Sequence, residues 1–420
     1  MFRFLFPKHL TQSACTYYRQ EVPVRSLEKA GLAHTLFCLH EEMGVNAARR
    51  FKTYLNSDAV FYYAMSATDL LKGMKKLRRL GLERHPNGTV SYPPVYFGDV
   101  DDNTHFVSPM NPKFKDLGTR DEKGVLFKPG EEIWIVDDEG GKHQLWKDGE
   151  GGWDVKDAQK KTGLIDSMWK AVDGMSFPTP RLADYFKTAL GVENTFVYPN
   201  SVIFEDYPDI PIVRSKGTVK VMWQGGDSHY GDWYGLRPVL PWTCEAFPEV
   251  RWMLFGTVYP FVHSTIPKDQ MIYVDWVPYD AYKLRLATLD FDFTVIPLAQ
   301  NRFNEGKSAI KWYEVSALPT PRPVLAAAVP PYSDEIIDGE TGLLYSSHEE
   351  FKTKFEALVR DGALRERLAS NAKDWVRENR AYDKTVGGLY EWVVETIDRT
   401  RERRWPLDGR LPKRRRKGGV

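Results

Sequence analysis

The segment "FNEGKSAIKWYEVSA" (303–317) places Lys307, Lys311 and Glu314 at positions i, i+4 and i+7. On an α-helix these positions share one face. Two ammonium groups can pair with a diphosphate, and a carboxylate can accept two hydrogen bonds from a ribose diol. The same spacing suits an exposed helix laced with ion pairs, and taken alone it favours that reading. The flanks shift the balance. "TVIPL" before it and "RPVLAAA" after it read as apolar strands, so the helix would start at the C-terminal edge of a sheet. Open α/β folds bind their ligands at that edge.

A second constellation is "MWQGGDSHYGD" (222–232), an apolar strand that runs into Gly225 and Gly226, then Ser228 and His229. Glycines there let backbone approach an anion, and free N–H groups at a helix start favour phosphate. A tight strand-to-helix turn explains the glycines equally well. "FGDVDDN" (97–103) gathers Asp99, Asp101 and Asp102 at a strand end. Carboxylates suit a Mg²⁺ ion, but the reading taken for Asp101 and Asp102 is acceptor-side polar contact or helix capping, and no metal is assigned. His105 lies just beyond; it either faces a sugar or is a surface histidine. Tyr17, Tyr18 and Arg19 lie in the first loop, where acceptor contact and ordinary core or surface roles weigh equally.

The elements that must position these groups follow from periodicity. Strand-like runs at 2–6, "HTLFCLH", "DAVFYYAM" and "PPVYFGDV" alternate with helical segments that end at Gly31 and Gly81. That rhythm indicates a doubly wound parallel sheet. From about 110 to 162 it breaks into Gly-, Asp- and Trp-rich alternating runs, which predict a β-hairpin insertion. "IFEDYPDIPIVRSKG" carries two prolines and little periodicity, and reads as a linker. A second strand-helix series opens at "TVKVMWQGG". Long helices are predicted over 348–378 and 383–404.

Composition bounds the rest. The chain of 420 residues exceeds one ordinary core, so two domains are expected. Net charge is +1, which gives no global attraction to nucleic acid or membrane. Cys15, Cys38 and Cys244 lack metal-type spacing and fit a reducing cytosol, so a cytoplasmic location is expected. No stretch reaches the roughly 20 apolar residues of a membrane span. The end from Arg399 to Lys417 is strongly basic. It reads as a solvated disordered tail, with weak contact to anionic surfaces or nucleic acid as the alternative.

"KSAIKWYEVSALPTPRPVLAAAVPPYSDEIIDGETGLL" resembles the donor-binding segment of retaining GT-B glycosyltransferases similar to glycosyltransferase family 4. "VMWQGGDSHYGD" resembles that family's phosphate-facing loop, "DWVPYDAYKLRLATLDFDFTVIPL" its base-binding stretch, and "PTPRLADYF…VYPNSV" the end of its first domain. The resemblance implies an α/β GT-B fold of two Rossmann-like doubly wound domains facing a cleft, with a β-rich insertion in the first. Residues 1–205 would be the acceptor-side domain and 216–380 the nucleotide-sugar domain. Residues 381–404 would form a helix packing back on the first domain, and 405–420 the basic tail. It implies a UDP- or GDP-sugar donor, an unknown acceptor, no required cofactor, and hexosyl transfer with retention. Glu314 would bind ribose. Lys307 and Ser308 would meet the diphosphate, with Lys311 in support. Gly225, Gly226, Ser228 and His229 would underlie the phosphates, and Trp276 and Val277 would border the base. Lys307, Glu314 and His105 are the expected catalytic set. One departure stands out: Gly306 occupies a position where the family often carries a sugar-touching glutamate. Two rival readings are a glucosyltransferase acting on modified DNA bases and a non-catalytic nucleotide-sugar-binding module.

Overall fold

The computed structural model describes residues 1–8, 13–39, 47–63, 68–80, 82–88, 90–136 and 140–406. Most of the basic tail, from 407 onward, lies outside them. The chain divides into two compact units, residues 1–100 with 164–198 and 385 onward, and residues 101–163 with 199–384.

The first unit carries a six-stranded, all-parallel sheet. Its order is Thr195–Val197, Gly174–Phe177, Val95–Asp99, Ala59–Tyr63, Arg3–Pro7, His34–Cys38. Successive side chains point to opposite faces. Leu5, Val60, Tyr62 and Tyr96 therefore enter one core, and Phe4, Phe6, Phe61 and Phe97 enter another. On the second face Phe6, Phe61 and Phe97 stack at 4.4 and 4.9 Å across three neighbouring strands. The helix Tyr382–Arg404 covers that face with Val386, Leu389, Trp392, Val393 and Ile397.

The second unit repeats the design. Its sheet runs Met271–Val274, Val250–Gly256, Val219–Gly225, Phe293–Ile296, Val324–Ala327, Leu343–Tyr345, again all parallel. The long helix predicted over 348–378 is two helices, His348–Arg360 and Gly362–Asn379. Asp361 breaks it: its backbone is extended, and its carboxylate accepts the N–H of Leu364 as the cap of the second helix.

The predicted hairpin forms from Glu132–Val136 and Lys142–Lys147, antiparallel. Its segment interrupts the first unit in chain order, yet it packs on the second. Phe303 enters a cluster with Phe114, Phe127 and Trp153. The Arg302 guanidinium lies 3.9 Å from the Phe106 ring centre, and the Arg302 N–H donates to Glu122 at 3.0 Å. Among the described residues no helix is long and apolar enough to cross a membrane.

Candidate functional site

The strand Val219–Gly225 delivers its C-terminal end to Gly226 and a short helical turn, Asp227–His229, followed by the helix Tyr230–Tyr234. The loop is pinned from the next strand. Thr257 N–H donates to the Gly225 carbonyl at 3.0 Å, and Tyr259 OH to the Gly226 carbonyl at 2.8 Å. Glycine is required here by space. A Cβ on Gly225 would lie 2.9 Å from Trp223, 3.0 Å from His229 and 3.2 Å from Lys311 Nζ. Gly256 faces it at φ +109°, and a Cβ there would meet the Gly225 carbonyl at 2.4 Å. Gly225→Ala should displace His229 and Lys311 together. A destabilisation of about 1–3 kcal/mol and roughly tenfold weaker nucleotide binding are expected, read by thermal melting and calorimetry.

The helix expected to carry both lysines begins only at Ile310. Asn304–Gly306 forms a separate short turn, and Lys307 is extended between the two. Lys307 and Glu314 therefore do not share a helical face; they belong to successive elements of one loop-helix unit. Ser308 accepts from Asn200 Nδ2 at 2.7 Å, which ties this loop to the "YPNSV" segment.

A connected row of side chains results. Asp232 Oδ2 lies 2.6 Å from His229 Nδ1, and His229 Nε2 lies 2.9 Å from Lys311 Nζ. Asp232 is buried, and its Oδ1 accepts from Ala299 N–H at 2.9 Å and Asn304 Nδ2 at 2.8 Å. A carboxylate on Nδ1 fixes the imidazole with its proton there, so Nε2 accepts from the lysine. Burial, and then the Lys311 charge, lower the imidazole to about 4, so the ring is neutral near pH 7. Burial pushes the Lys311 ammonium down to about 7, with Lys307 adding to the drop and Asp232 and Glu314 opposing it. Burial alone would raise Asp232. The His229 hydrogen bond and the Lys307 charge outweigh it and hold the carboxyl below its usual value. The site thus holds an ammonium poised near neutrality beside a second cation, an arrangement suited to a polyanion.

Glu314 is buried at 3% exposure on the same helix. It accepts from Tyr282 OH at 2.9 Å, Tyr279 OH at 3.2 Å and Gln224 Nε2 at 3.3 Å. Burial, and then Glu314 itself, drive the Tyr282 phenol well above its ordinary value, so it stays a donor. Ahead of the helix Tyr279–Ala287, Trp276 stands 69% exposed while Val277 is half-buried against the core.

The residues expected on the acceptor side divide. Tyr17 and Tyr18 are buried, their rings edge to face at 5.0 Å, in a π-helical turn over Tyr17–Glu21. Arg19 is buried with them. Its guanidinium grips Asp99 through two bonds of 2.7 and 2.6 Å and donates to the Tyr198 carbonyl at 2.6 Å. Asp99 also accepts from Ser176. Asp101 and Asp102 lie in the second unit, where Lys113 Nζ stands 3.7 Å from Asp102. His105 is buried there at 3% exposure, and its N–H donates to Asn103 at 3.3 Å. Asp232 is the one member of the central row that the sequence reading did not single out. Its signal was the i, i+3 spacing from His229 at a helix start.

No protein-family model and no curated protein matches the sequence. Solved structures match the fold. Sucrose-phosphate synthase from Thermosynechococcus elongatus is 11% identical over 94% of this chain and 100% of its own, with a TM-score of 0.57. HepE from Anabaena, solved in complex with UDP, is 11% identical over 94% of this chain and 100% of its own, at 0.56. TarM of S. aureus is 14% identical over 83% of this chain, at 0.50, and the chain spans 58% of TarM's length. The two parallel six-stranded sheets are those of the GT-B fold.

Proposed function

We propose that the chain is a glycosyltransferase that draws a sugar from a nucleoside-diphosphate donor. The observation that carries this is the Asp232–His229–Lys311 row, with Lys307 beside it and the buried Glu314 one helical turn on. It lies where the sheet of the second unit ends, the edge at which open α/β folds hold ligands. HepE, which shares the fold, is solved with UDP, which is consistent with a UDP- or GDP-sugar donor. A membership in family 4, a hexosyl group and a cytoplasmic site of action complete the reading.

In this reading Lys307, Lys311 and Ser308 take the diphosphate with the Gly225–Gly226 loop beneath it. Glu314 takes the ribose hydroxyls, and Trp276 and Val277 flank the base. The C1–O bond to the diphosphate breaks as the acceptor oxygen bonds C1 on the same face, so configuration is retained. The acceptor's proton passes to the departing phosphate oxygen. The lysines stabilise the charge that develops on that oxygen. His105 is assigned to the sugar, and Tyr17, Tyr18, Arg19, Asp101 and Asp102 to the acceptor side. Since Arg19 is held by Asp99, its part there is to shape the loop rather than to donate to a ligand.

The test is a melting series with UDP, GDP and ADP, followed by release of nucleoside diphosphate from the matching nucleotide-sugar. A ligand at a hundred times its Kd adds about 2.7 kcal/mol, or a rise of several degrees. No shift with any of the three would overturn the reading. A shift without turnover, under a screen of glycan, lipid and DNA acceptors, would favour a non-catalytic binding module.

A further inference from the structure

Beside the Asp232 row lies a cavity of about 230 Å³, formed wholly within the second unit. One side belongs to the ligand site already described: Ser228 follows the Gly225–Gly226 loop, and Asn301 and Phe303 lead into Lys307. The other side comes from the segment 101–163, through Met110, Asn111 and Ile135. Met110 packs against the first turn of the helix Tyr230–Tyr234, since a Cβ on Gly231 would lie 3.0 Å from its Cβ and Sδ. Ile135 reaches the cavity because the hairpin strand Glu132–Val136 alternates. Ile133 packs on the Phe114–Trp153 cluster, and Ile135 turns the same way further along.

The lining has a definite chemistry. Asn111 is buried at 3% exposure, and its Oδ1 accepts the N–H of Lys113 at 2.9 Å. That bond uses the amide oxygen, so what Asn111 can still offer a ligand is its Nδ2 donor. Asn301 Oδ1 is similarly used by the Asn304 N–H at 2.8 Å. Among the described residues no lysine or arginine lines the cavity, and the carboxylate found there, Asp232, is already held by His229, Ala299 and Asn304. Neutral donors alternate with the apolar faces of Met110, Ile135 and Phe303. Such a wall suits a ring with hydroxyls at its edge and C–H groups on its face.

We propose that the 101–163 segment is the sugar-selecting wall of this protein. Met110, Asn111 and Ile135 close the cavity around the neutral pyranose that the donor transfers, and they bar sugars that carry a carboxylate. The proposal rests on the nucleotide-sugar reading of the same site, and it gives the chain a replacement for the sugar contact absent at Gly306. The sugar is read from the inserted segment as well as from the phosphate-binding unit.

The experiment compares three probes by calorimetry on the full chain: UDP, UDP-glucose and UDP-glucuronate. In the native protein UDP-glucose should bind at least tenfold more tightly than UDP, and UDP-glucuronate no more tightly than UDP. Met110→Trp fills the cavity. It should bring UDP-glucose down to the level of UDP while the Kd of UDP stays within twofold. Asn111→Ala, which adds no bulk, should remove about threefold to tenfold of the glucose increment, with far-UV dichroism unchanged and melting lowered by only a few degrees for the lost Lys113 bond. If both variants leave the UDP-glucose increment intact, or weaken UDP as much as UDP-glucose, the wall does not read the donor sugar. An intact increment with a raised KM for a sugar acceptor would reassign the cavity to the acceptor and overturn the donor assignment. Failure of the native protein to bind any nucleoside diphosphate would strike the nucleotide-sugar reading itself, a result separate from either of these.

Discussion

Lys311→Met should weaken nucleoside-diphosphate binding about tenfold to a hundredfold below pH 7, and should raise the melting temperature at the same pH. A hydrogen bond to a charged group contributes about 1.5–3 kcal/mol, which sets the size of the first effect. The second follows from the same burial that lowers the ammonium to about 7. In the unfolded chain that lysine titrates at its ordinary 10.5. Between these two values the unfolded chain binds a proton that the folded chain does not. Stability from this group therefore rises with pH from about 7 to about 10.5, and below 7 its full cost is present. Methionine removes the charge and keeps the length, so the variant should gain about 2 kcal/mol below pH 7, discounted for the half-buried position. Binding has the opposite pH dependence. Above about 7 the free protein must take up a proton to present its ammonium to the diphosphate, so native affinity should fall as pH rises. The variant should show neither slope. Calorimetric Kd and thermal melting on either side of pH 7 check both, and a native Kd flat with pH would sink the argument. His229 cannot stand in for the lost charge, since its imidazole protonates only near 4.

Much of this arrangement was legible because it is local. Runs such as "VKVMWQG" and "FTVI" are strands, the first buried at its centre and the second throughout, and their alternation with helices indicated the parallel order. Of the two glycines before Ser228, Gly225 marked a real close approach, visible in the space a Cβ would need, whereas Gly226 has open space there. The departures come from what periodicity does not encode. Lys307 falls at i−4 from Lys311, but its loop is held by Asn304 and by the Ser308–Asn200 bond, so the chain turns helical only at Ile310. Arg19 reads as a surface cation until Asp99, distant in sequence, is placed against it. Once there, neither partner can be removed without leaving a buried charge. The packing of 101–163 on the second unit depends on Phe303 and Arg302, residues that belong to the donor loop rather than to the insertion. Long-range pairs of this kind leave no spacing to read.

Glu314→Gln should cost UDP about a hundredfold in affinity while costing a 2′,3′-dideoxy uridine diphosphate almost nothing. The carboxylate now accepts from two tyrosines and a glutamine, and two of those contacts are long, 3.2 and 3.3 Å. Ribose hydroxyls would form shorter, charge-assisted bonds in their place, each about twice as strong as a neutral one. Glutamine keeps the shape but offers one weaker acceptor, and its NH₂ opposes donors. Two lost charge-assisted bonds at about 1.5 kcal/mol each give a factor on the order of a hundred. The dideoxy ligand is the control that separates binding from scaffolding. If Glu314 only braces Tyr279 and Tyr282, the substitution weakens both ligands equally, through a distorted base pocket. If it holds the ribose, the two losses differ, and the difference is the coupling between side chain and hydroxyls. Equal losses would remove Glu314 from the ligand. The lysine row would then remain as a diphosphate site, and nucleotide recognition would have to come from the stretch around Trp276 and Val277.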